Sequence, residues 1–243
     1  RIACYAVCVG TAGTFAAGDE MKKVFPECKL VALEPYECPT LTKDARGQHR
    51  IEGIGDKLCS LIQNINNTDF VTLIHDDDAV KALKIMRDGK DVLVKMGIDP
   101  EVAETYKDLF GVSGMANIIG AIKMAKYLKL GPGDNVVTIA TDGFDRYHSV
   151  IEELEQRYLE TEDFVLERWA KDIFIDASED NVHDFRTPKA KERLYEQKEQ
   201  DWVRFGYSKE FLETLKNQDY WEDEYNKIPE WNEKIKTMRG KTI

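Results

Sequence analysis

The apolar positions of the chain predict an alternation of buried strands and amphipathic helices. Residues 2–9 are almost wholly apolar and partly β-branched, a pattern typical of a strand buried on both faces of a parallel sheet. From Thr14 onward, apolar side chains recur at near-helical spacing, so a helix is predicted to begin at or just after the preceding glycines. Further strands are predicted at residues 29–33, 70–74 and 135–140. The expected fold class is therefore α/β with a largely parallel sheet.

A short turn of small residues joins the first strand to the first helix. It consists of Gly10, Thr11, Ala12, Gly13 and Thr14. A strand, a glycine turn and a helix N-terminus in that order place unpaired N–H groups and the positive end of a helix dipole at one point. The turn therefore predicts an anion site, most often one for phosphate, although a tight crossover needs the same small residues.

A dinucleotide site is a second interpretation of this turn. Glu34 ends the second predicted strand about where a dinucleotide fold places its ribose-binding acid. The glycine spacing argues against it, because the fingerprint requires glycines at the first, third and sixth positions. Counted from Gly10, the third and sixth positions are Ala12 and Phe15.

Further helices are predicted at residues 100–110 and 112–130, the second small and apolar on most of its faces. Asn117 inside that helix is either a satisfied buried amide or a hydrogen-bond donor to a ligand. Thr141 and Asp142 follow the last predicted strand, at the sheet edge where ligands bind in open α/β folds. Three aspartates at residues 76–78 are interpreted as the first turn of a helix, and no metal site is predicted.

Composition divides the chain into two parts. The 243 residues carry a net charge of −11, which makes nucleic acid and anionic membranes unsuitable partners. Residues 151–243 hold 24 acidic and 16 basic side chains, so most of that charge lies there. The pattern predicts an α/β part over residues 1–150 and an acidic, helical extension over residues 151–243. Its tryptophans are expected to pack the extension onto the first part or onto a partner, with a regulatory module as the alternative.

Five cysteines, all in the first quarter of the chain, lack the spacing of metal ligands. We expect them to be reduced thiols in a cytoplasmic protein. No apolar run reaches the length of a membrane span, and no signal-peptide pattern opens the chain.

Four motifs in a fixed order resemble the second half of the cysteine synthase and cystathionine β-synthase family, which are fold type II pyridoxal-phosphate enzymes. They are the glycine turn at residues 10–14, His-Arg-Ile-Glu-Gly-Ile-Gly at 49–55, Gly-Val-Ser-Gly-Met-Ala-Asn at 111–117, and a strand followed by Asp-Arg-Tyr at 145–147. The likeness covers residues 2–149. It implies the three-layer large domain of that family, carried here by residues 1–150.

The resemblance also implies a set of cofactor-binding residues. The phosphate of pyridoxal 5′-phosphate would be held by Gly10, Thr11, Ala12, Gly13 and Thr14. Gly53, Ile54 and Gly55 would lie beside the cofactor ring and the substrate. The serine that contacts the pyridine nitrogen in the family aligns with Gly143, so Thr141 or Asp142 is expected to take its place.

The activity implied by the resemblance is β-replacement or β-elimination on an amino acid such as serine, O-acetylserine or cysteine, by a lyase or transferase that forms a homodimer. The Schiff-base lysine and the loop that binds the substrate carboxylate belong to the first half of the family fold, and no segment here matches them. The catalytic amine is therefore expected from a missing N-terminal segment or a partner chain. The alternatives are a catalytically inactive scaffold or regulatory half, and a nicotinamide-dependent oxidoreductase built on Gly10 and Glu34.

Overall fold

Five strands form one sheet in a computed structural model that describes residues 1–158 and 163–240. The strands in that part of the chain are β1 (Ile2–Cys8), β2 (Lys29–Pro35), β3 (Phe70–Ile74), β4 (Asn135–Val137) and β5 (Val182–Asp184). Their order across the sheet is β4-β1-β2-β3-β5. β1 pairs in parallel with β2 and β4, β2 pairs in parallel with β3, and β5 is antiparallel to β3. The expected α/β class with a largely parallel sheet is confirmed.

Helices cover both faces of this sheet. The first eight are α1 (Gly13–Val24), α2 (Thr40–Lys43), α3 (Asp76–Asp88), α4 (Lys90–Lys95), α5 (Pro100–Leu109), α6 (Val112–Tyr127), α7 (His148–Arg157) and α8 (Asp163–Ala170), and α8 continues as a π-helical turn over Lys171–Ile175. Over residues 176–240 the structure describes α9 (Pro188–Val203), α10 (Lys209–Thr214), α11 (Gln218–Asn226) and α12 (Ile228–Arg239).

Alternate side chains of β1 belong to two different cores, as the period of a strand dictates. Cys4, Ala6 and Cys8 pack in a core that includes side chains of α3, α6 and α8. Tyr5 and Val7 pack in a second core, which contains Phe15 of α1 and Leu194 of α9. The architecture is therefore three-layered, with the sheet between two sets of helices.

The fourth strand is shorter than predicted, ending at Val137 rather than at residue 140. Beyond Val137 the ladder to β1 does not continue, and two hydrogen bonds to β1 and α6 are made through side chains instead. The hydroxyl of Thr138 donates to the carbonyl of Ala6 at 2.6 Å, and Nδ2 of Asn117 donates to the carbonyl of Ile139 at 2.8 Å. Because Oδ1 of Asn117 also accepts the N–H of Cys8 at 2.7 Å, this side chain is a satisfied buried amide that joins α6 to β1 and to the segment after β4.

Replacing Thr138 by valine is expected to lower the free energy of unfolding by about 1 kcal/mol, because it deletes one hydrogen bond at nearly constant shape. Thr237→Val is the matched control. The Thr237 hydroxyl also donates to a carbonyl, that of Glu233, but on the exposed helix α12, where water replaces the lost bond. Urea unfolding of both variants checks this, and equal losses would contradict it.

The acidic second part of the chain contributes to the same fold. The sequence predicted it to be helical, and it holds α8, α9 and α10 together with two further helices, α11 and α12. β5 was not predicted, because Val-His-Asp has one apolar residue and is too short to show a period. Trp169 and Trp221 are buried, whereas Trp231 is 55% exposed.

All five cysteines are buried and free of disulfides. None of the helices in the described part of the chain combines the length and apolar character that crossing a bilayer requires.

Candidate functional site

A cavity of about 410 Å³ opens beyond the carboxyl ends of β1 and β4. Its volume is in the range of small-molecule sites. One wall is the glycine turn, Gly10, Thr11, Ala12, Gly13 and Thr14, and a second is the loop segment Glu52, Gly53 and Ile54. The third wall consists of Cys8, Ser113, Thr141, Asp142, Arg146 and Tyr147. The cavity therefore lies where parallel sheets bind their ligands.

The glycine turn presents the N-terminus of α1 to this cavity. Ala12 precedes the helix with a φ of 66°, in the left-handed region, and its methyl group offers no acceptor to the first turn. The N–H of Ala16 donates to the carbonyl of Ala12 at 2.9 Å, so the helical ladder begins there. The N–H groups of Gly13 and Thr14 precede that first bond and carry the positive end of the helix dipole. This arrangement favours an anion.

Two hydrogen bonds fix the shape of the turn from outside. The Tyr5 hydroxyl donates to the carbonyl of Thr14 at 2.8 Å, and the Ser60 hydroxyl donates to the carbonyl of Thr11 at 3.0 Å. Since Tyr5 and Ser60 are both buried, the turn is held by the protein before any ligand binds.

Glycines are required where the turn meets the second loop. A Cβ on Gly10 would lie 2.5 Å from the carbonyl oxygen of Gly53, and Gly53 has a φ of 82°. Any side chain at Gly10 would therefore push the two backbones apart. Gly13 differs, since a Cβ there would meet no atom of the described chain within 4 Å. The space beside Gly13 is the open part of the cradle.

A chain of hydrogen bonds forms the opposite wall. The Ser113 and Thr141 hydroxyls are 2.7 Å apart, Thr141 Oγ1 donates to Asp142 Oδ1 at 3.2 Å, and the Tyr147 hydroxyl donates to Asp142 Oδ2 at 2.6 Å. Burial first, and then the hydrogen bond to Asp142, raise the pKa of Tyr147, which keeps this phenol a donor. Both carboxylate oxygens of Asp142 are therefore already bonded within the protein.

Nine of the ten residues predicted for the site line this one cavity, and Gly55 does not. Gly55 lines a neighbouring small cavity and lies against the His49 ring, whose Nε2 is 3.3 Å from the Gly55 carbonyl oxygen. Five further residues line the cavity but were not predicted as site residues: Cys8, Glu52, Ser113, Arg146 and Tyr147. Adjacency could have found all of them except Ser113, because the other four lie within five residues of a predicted one.

Glu34 has no access to a nucleotide ribose. Its carboxylate accepts the N–H of Leu41 at 2.8 Å, and the N–H and hydroxyl of Thr42 at 3.0 and 2.8 Å. Burial raises the pKa of Glu34 to about 7, and the hydrogen bonds from Leu41 and Thr42 lower it only in part. The acid is thus used to hold α2, which argues against the dinucleotide interpretation.

The three aspartates at residues 76–78 form the first turn of α3, as interpreted from the sequence. Asp76 Oδ2 accepts the N–H of Arg50 at 2.5 Å. In the part of the chain that the structure describes, no three acidic, histidine or cysteine side chains are grouped to bind a metal ion.

Comparison with known proteins agrees with the motifs. The chain is 34% identical over 142 residues to a cysteine synthase of Staphylococcus aureus, and 29% identical over 141 residues to cysteine synthase B of Campylobacter jejuni. Each match covers 58% of this chain and 40% of the relative. The chain thus spans less than half the length of the curated relatives it matches. No family model matches the sequence.

Solved structures give the same result. The fold is similar to an O-acetyl serine sulfhydrylase of Entamoeba histolytica, with a TM-score of 0.55 and 26% identity over 72% of this chain and 46% of that one. It is also similar to a hydrogen sulfide-producing enzyme of Fusobacterium nucleatum, with a TM-score of 0.50 and 28% identity over 69% and 44%. The resemblance to the cysteine synthase and cystathionine β-synthase family, which are fold type II pyridoxal-phosphate enzymes, is therefore confirmed for the matching segment.

Proposed function

We propose, from this relationship to cysteine synthases, that the chain is the cofactor-phosphate-binding part of a pyridoxal-phosphate enzyme of amino-acid metabolism. The reaction would be β-replacement or β-elimination on an amino acid such as O-acetylserine, serine or cysteine. The observation that carries the proposal is the cavity, in which the N-terminus of α1, a glycine cradle and a polar wall face one space.

The residues present fit such a cofactor. The amides of Gly13 and Thr14 are suited to a phosphate monoester, because charge-assisted hydrogen bonds to an anion are stronger than neutral ones. The open space at Gly13 leaves room for that group, and Gly53 and Ile54 provide a wall with little side-chain bulk. The fit expected for the cofactor phosphate therefore depends on the main-chain geometry of the turn and of the second loop.

The wall opposite the turn offers two candidates for the pyridine nitrogen, Thr141 and Asp142. We assign the contact to the Thr141 hydroxyl, whose one hydrogen would turn from Asp142 Oδ1, its acceptor at 3.2 Å, to the ring nitrogen, while Ser113 at 2.7 Å orients Thr141. The pKa of the pyridine nitrogen is lower beside a neutral hydroxyl than it would be beside a negatively charged carboxylate.

When bound, pyridoxal phosphate supplies the electron-withdrawing group that labilises bonds at the substrate Cα. This chain binds the phosphate, orients the ring and provides polar groups around it. None of the described residues that line the cavity is a lysine. We therefore propose that the amine which bonds the cofactor comes from a segment outside this chain, either preceding it or in a partner.

The same observation favours a second candidate, a catalytically inactive scaffold or regulatory half that binds the cofactor or its phosphate alone. An assay of sulfide release from cysteine by the natural complete protein separates the two. Release that depends on added pyridoxal phosphate supports the enzyme, and its absence in a protein that binds the cofactor supports the scaffold.

Pyridoxine 5′-phosphate tests the binding proposal without Schiff-base chemistry, because its alcohol cannot react with surface lysines. We expect it to bind this chain at least about tenfold more tightly than pyridoxine, and inorganic phosphate to displace it, since the monoester is the group that is held. Calorimetric titration measures both affinities. Equal affinities, or tighter binding of a nicotinamide dinucleotide than of pyridoxine 5′-phosphate, would contradict the proposal.

A further inference from the structure

Helix α9, in the acidic second part of the chain, holds a short segment at residues 59–63. The ammonium group of Lys198 donates to the carbonyls of Leu61 at 3.0 Å and Gln63 at 2.6 Å. The indole N–H of Trp202 donates to the carbonyl of Cys59 at 2.7 Å.

Asp201 adds a fourth bond from the same helix, because its Oδ2 accepts the N–H of Cys59 at 2.8 Å. Both peptide groups of Cys59 are therefore fixed by α9. Lys198 and Asp201 are almost wholly buried, so these bonds form in a medium where unpaired groups would be costly. Helix α9 and residues 59–63 therefore make a buried contact and not a solvent-exposed one.

The segment that α9 holds is the one that contacts the anion turn. Ser60 lies between Cys59 and Leu61, both of which bond to α9, and its hydroxyl donates to the carbonyl of Thr11 at 3.0 Å. The hydrogen bonds of Trp202 and Lys198 to Cys59 and Leu61 are therefore connected through the backbone of Ser60 to the bond between Ser60 and the turn.

The hydrogen bond from Ser60 to the Thr11 carbonyl fixes the orientation of the peptide group between Thr11 and Ala12. The carbonyl of Thr11 and the N–H of Ala12 belong to one planar peptide unit and point in opposite directions. A bond that fixes the Thr11 oxygen therefore fixes where the Ala12 N–H points. Ala12 has a φ of 66°, which is strained for a residue with a side chain, so its peptide needs outside support to keep this orientation.

We propose that Lys198, Asp201 and Trp202 are positioning residues for the anion turn and act on it through Ser60. The inference rests on the proposed function, because it assigns the turn an anionic ligand. It gives the second part of the chain a role in the site, although none of its residues lines the cavity among those described. Loss of a bond between α9 and residues 59–63 frees Ser60 and lets the Thr11–Ala12 peptide rotate, which shifts the turn that carries the Gly13 and Thr14 amides.

Trp202→Phe and Trp221→Phe form a matched pair that tests this role. Each replacement removes one indole N–H donor to a carbonyl and keeps an aromatic ring. The bond of Trp202 reaches Cys59, whereas the bond of Trp221 reaches Leu215 at 2.9 Å and stays within the second part of the chain. The Trp221 ring also lies 5.5 Å from the Lys198 ammonium group, and phenylalanine keeps a ring at that position. A merely structural role would make the two variants alike.

We expect Trp202→Phe to weaken the binding of pyridoxine 5′-phosphate about three- to tenfold, the range that the loss of one hydrogen bond produces. Trp221→Phe should keep the wild-type affinity. Ser60→Ala should weaken binding in the same range, and the double variant Ser60→Ala with Trp202→Phe should bind no more weakly than Ser60→Ala alone. Equal affinities of the two tryptophan variants, or strictly additive losses in the double variant, would overturn the proposal.

Hydrogen exchange of the ligand-free chain separates failure of this inference from failure of the proposed function. A peptide covering residues 6–18 contains the bonded N–H groups of Val9 and Ala16, which report opening of the turn. Faster exchange of this peptide in Trp202→Phe than in Trp221→Phe supports the coupling even if the wild-type chain fails to bind pyridoxine 5′-phosphate. Unchanged exchange in Trp202→Phe overturns it, whatever the ligand result.

Discussion

Replacing Gly13 by valine is expected to lower the affinity for pyridoxine 5′-phosphate by a factor of about 100 or more. Gly13 lines the cavity, and a side chain there meets no atom of the described chain within 4 Å, so the fold has room for it. A phosphate at the amides of Gly13 and Thr14 does not have that room. Losing two charge-assisted hydrogen bonds of roughly 1.5–3 kcal/mol each accounts for the factor.

Gly133→Val is the control for this substitution. A Cβ on Gly133 also meets no atom of the described chain within 4 Å, but Gly133 lies in the turn before β4 and does not line the cavity. Calorimetric titration and thermal unfolding of both variants give the comparison. If Gly13→Val unfolds like Gly133→Val and still binds the ligand as the wild type does, the phosphate does not lie at this turn.

The second large effect is a pH dependence of stability that arises from Glu34. Its pKa in the folded chain is raised to about 7 from an ordinary value of 4.5, because the carboxylate is buried. The folded state therefore binds the proton more tightly than the unfolded state does. Stability from this group is fully present below pH 4.5 and is lost as the pH rises to 7, by about 3 kcal/mol in total.

Glu34→Gln isolates the contribution of Glu34 to the pH dependence, because the amide keeps an acceptor near Leu41 and Thr42 but does not titrate. The difference in the free energy of unfolding between Glu34→Gln and the wild type should shift by about 3 kcal/mol in favour of the variant between pH 4.5 and pH 8. Urea unfolding at several pH values measures it. A difference that stays constant with pH would show that Glu34 titrates normally in the folded chain.

The parts of the fold that the sequence predicted well are those with local causes. β1 and the start of α1 follow from an apolar run, a glycine turn and a helical period within about 20 residues. β3 was predicted with its observed ends, Phe70 and Ile74, because polar residues flank it on both sides. The local pattern did not predict the end of β4 at Val137, because the strand ends there through a side-chain hydrogen bond of Thr138.

The site likewise has parts that local motifs predicted and parts that depend on contacts between distant segments. The glycine turn and the Thr141–Asp142 edge were predicted because each is read from a motif or from strand polarity. The bonds that connect Ser113 to Thr141 and Tyr147 to Asp142 depend on how α6 and the segment after β4 meet. The support of the turn by α9 joins residues more than 130 positions apart, which no spacing rule detects.

In the function proposed here, main-chain amides of the turn bind a phosphate monoester. Amide NMR of the chain during titration with pyridoxine 5′-phosphate tests it most directly, with pyridoxine as the matched ligand that lacks the monoester. We predict saturable shifts of the Gly13 and Thr14 amides that pyridoxine does not reproduce. Unchanged resonances at these two residues, with shifts elsewhere on the molecule, would contradict the account.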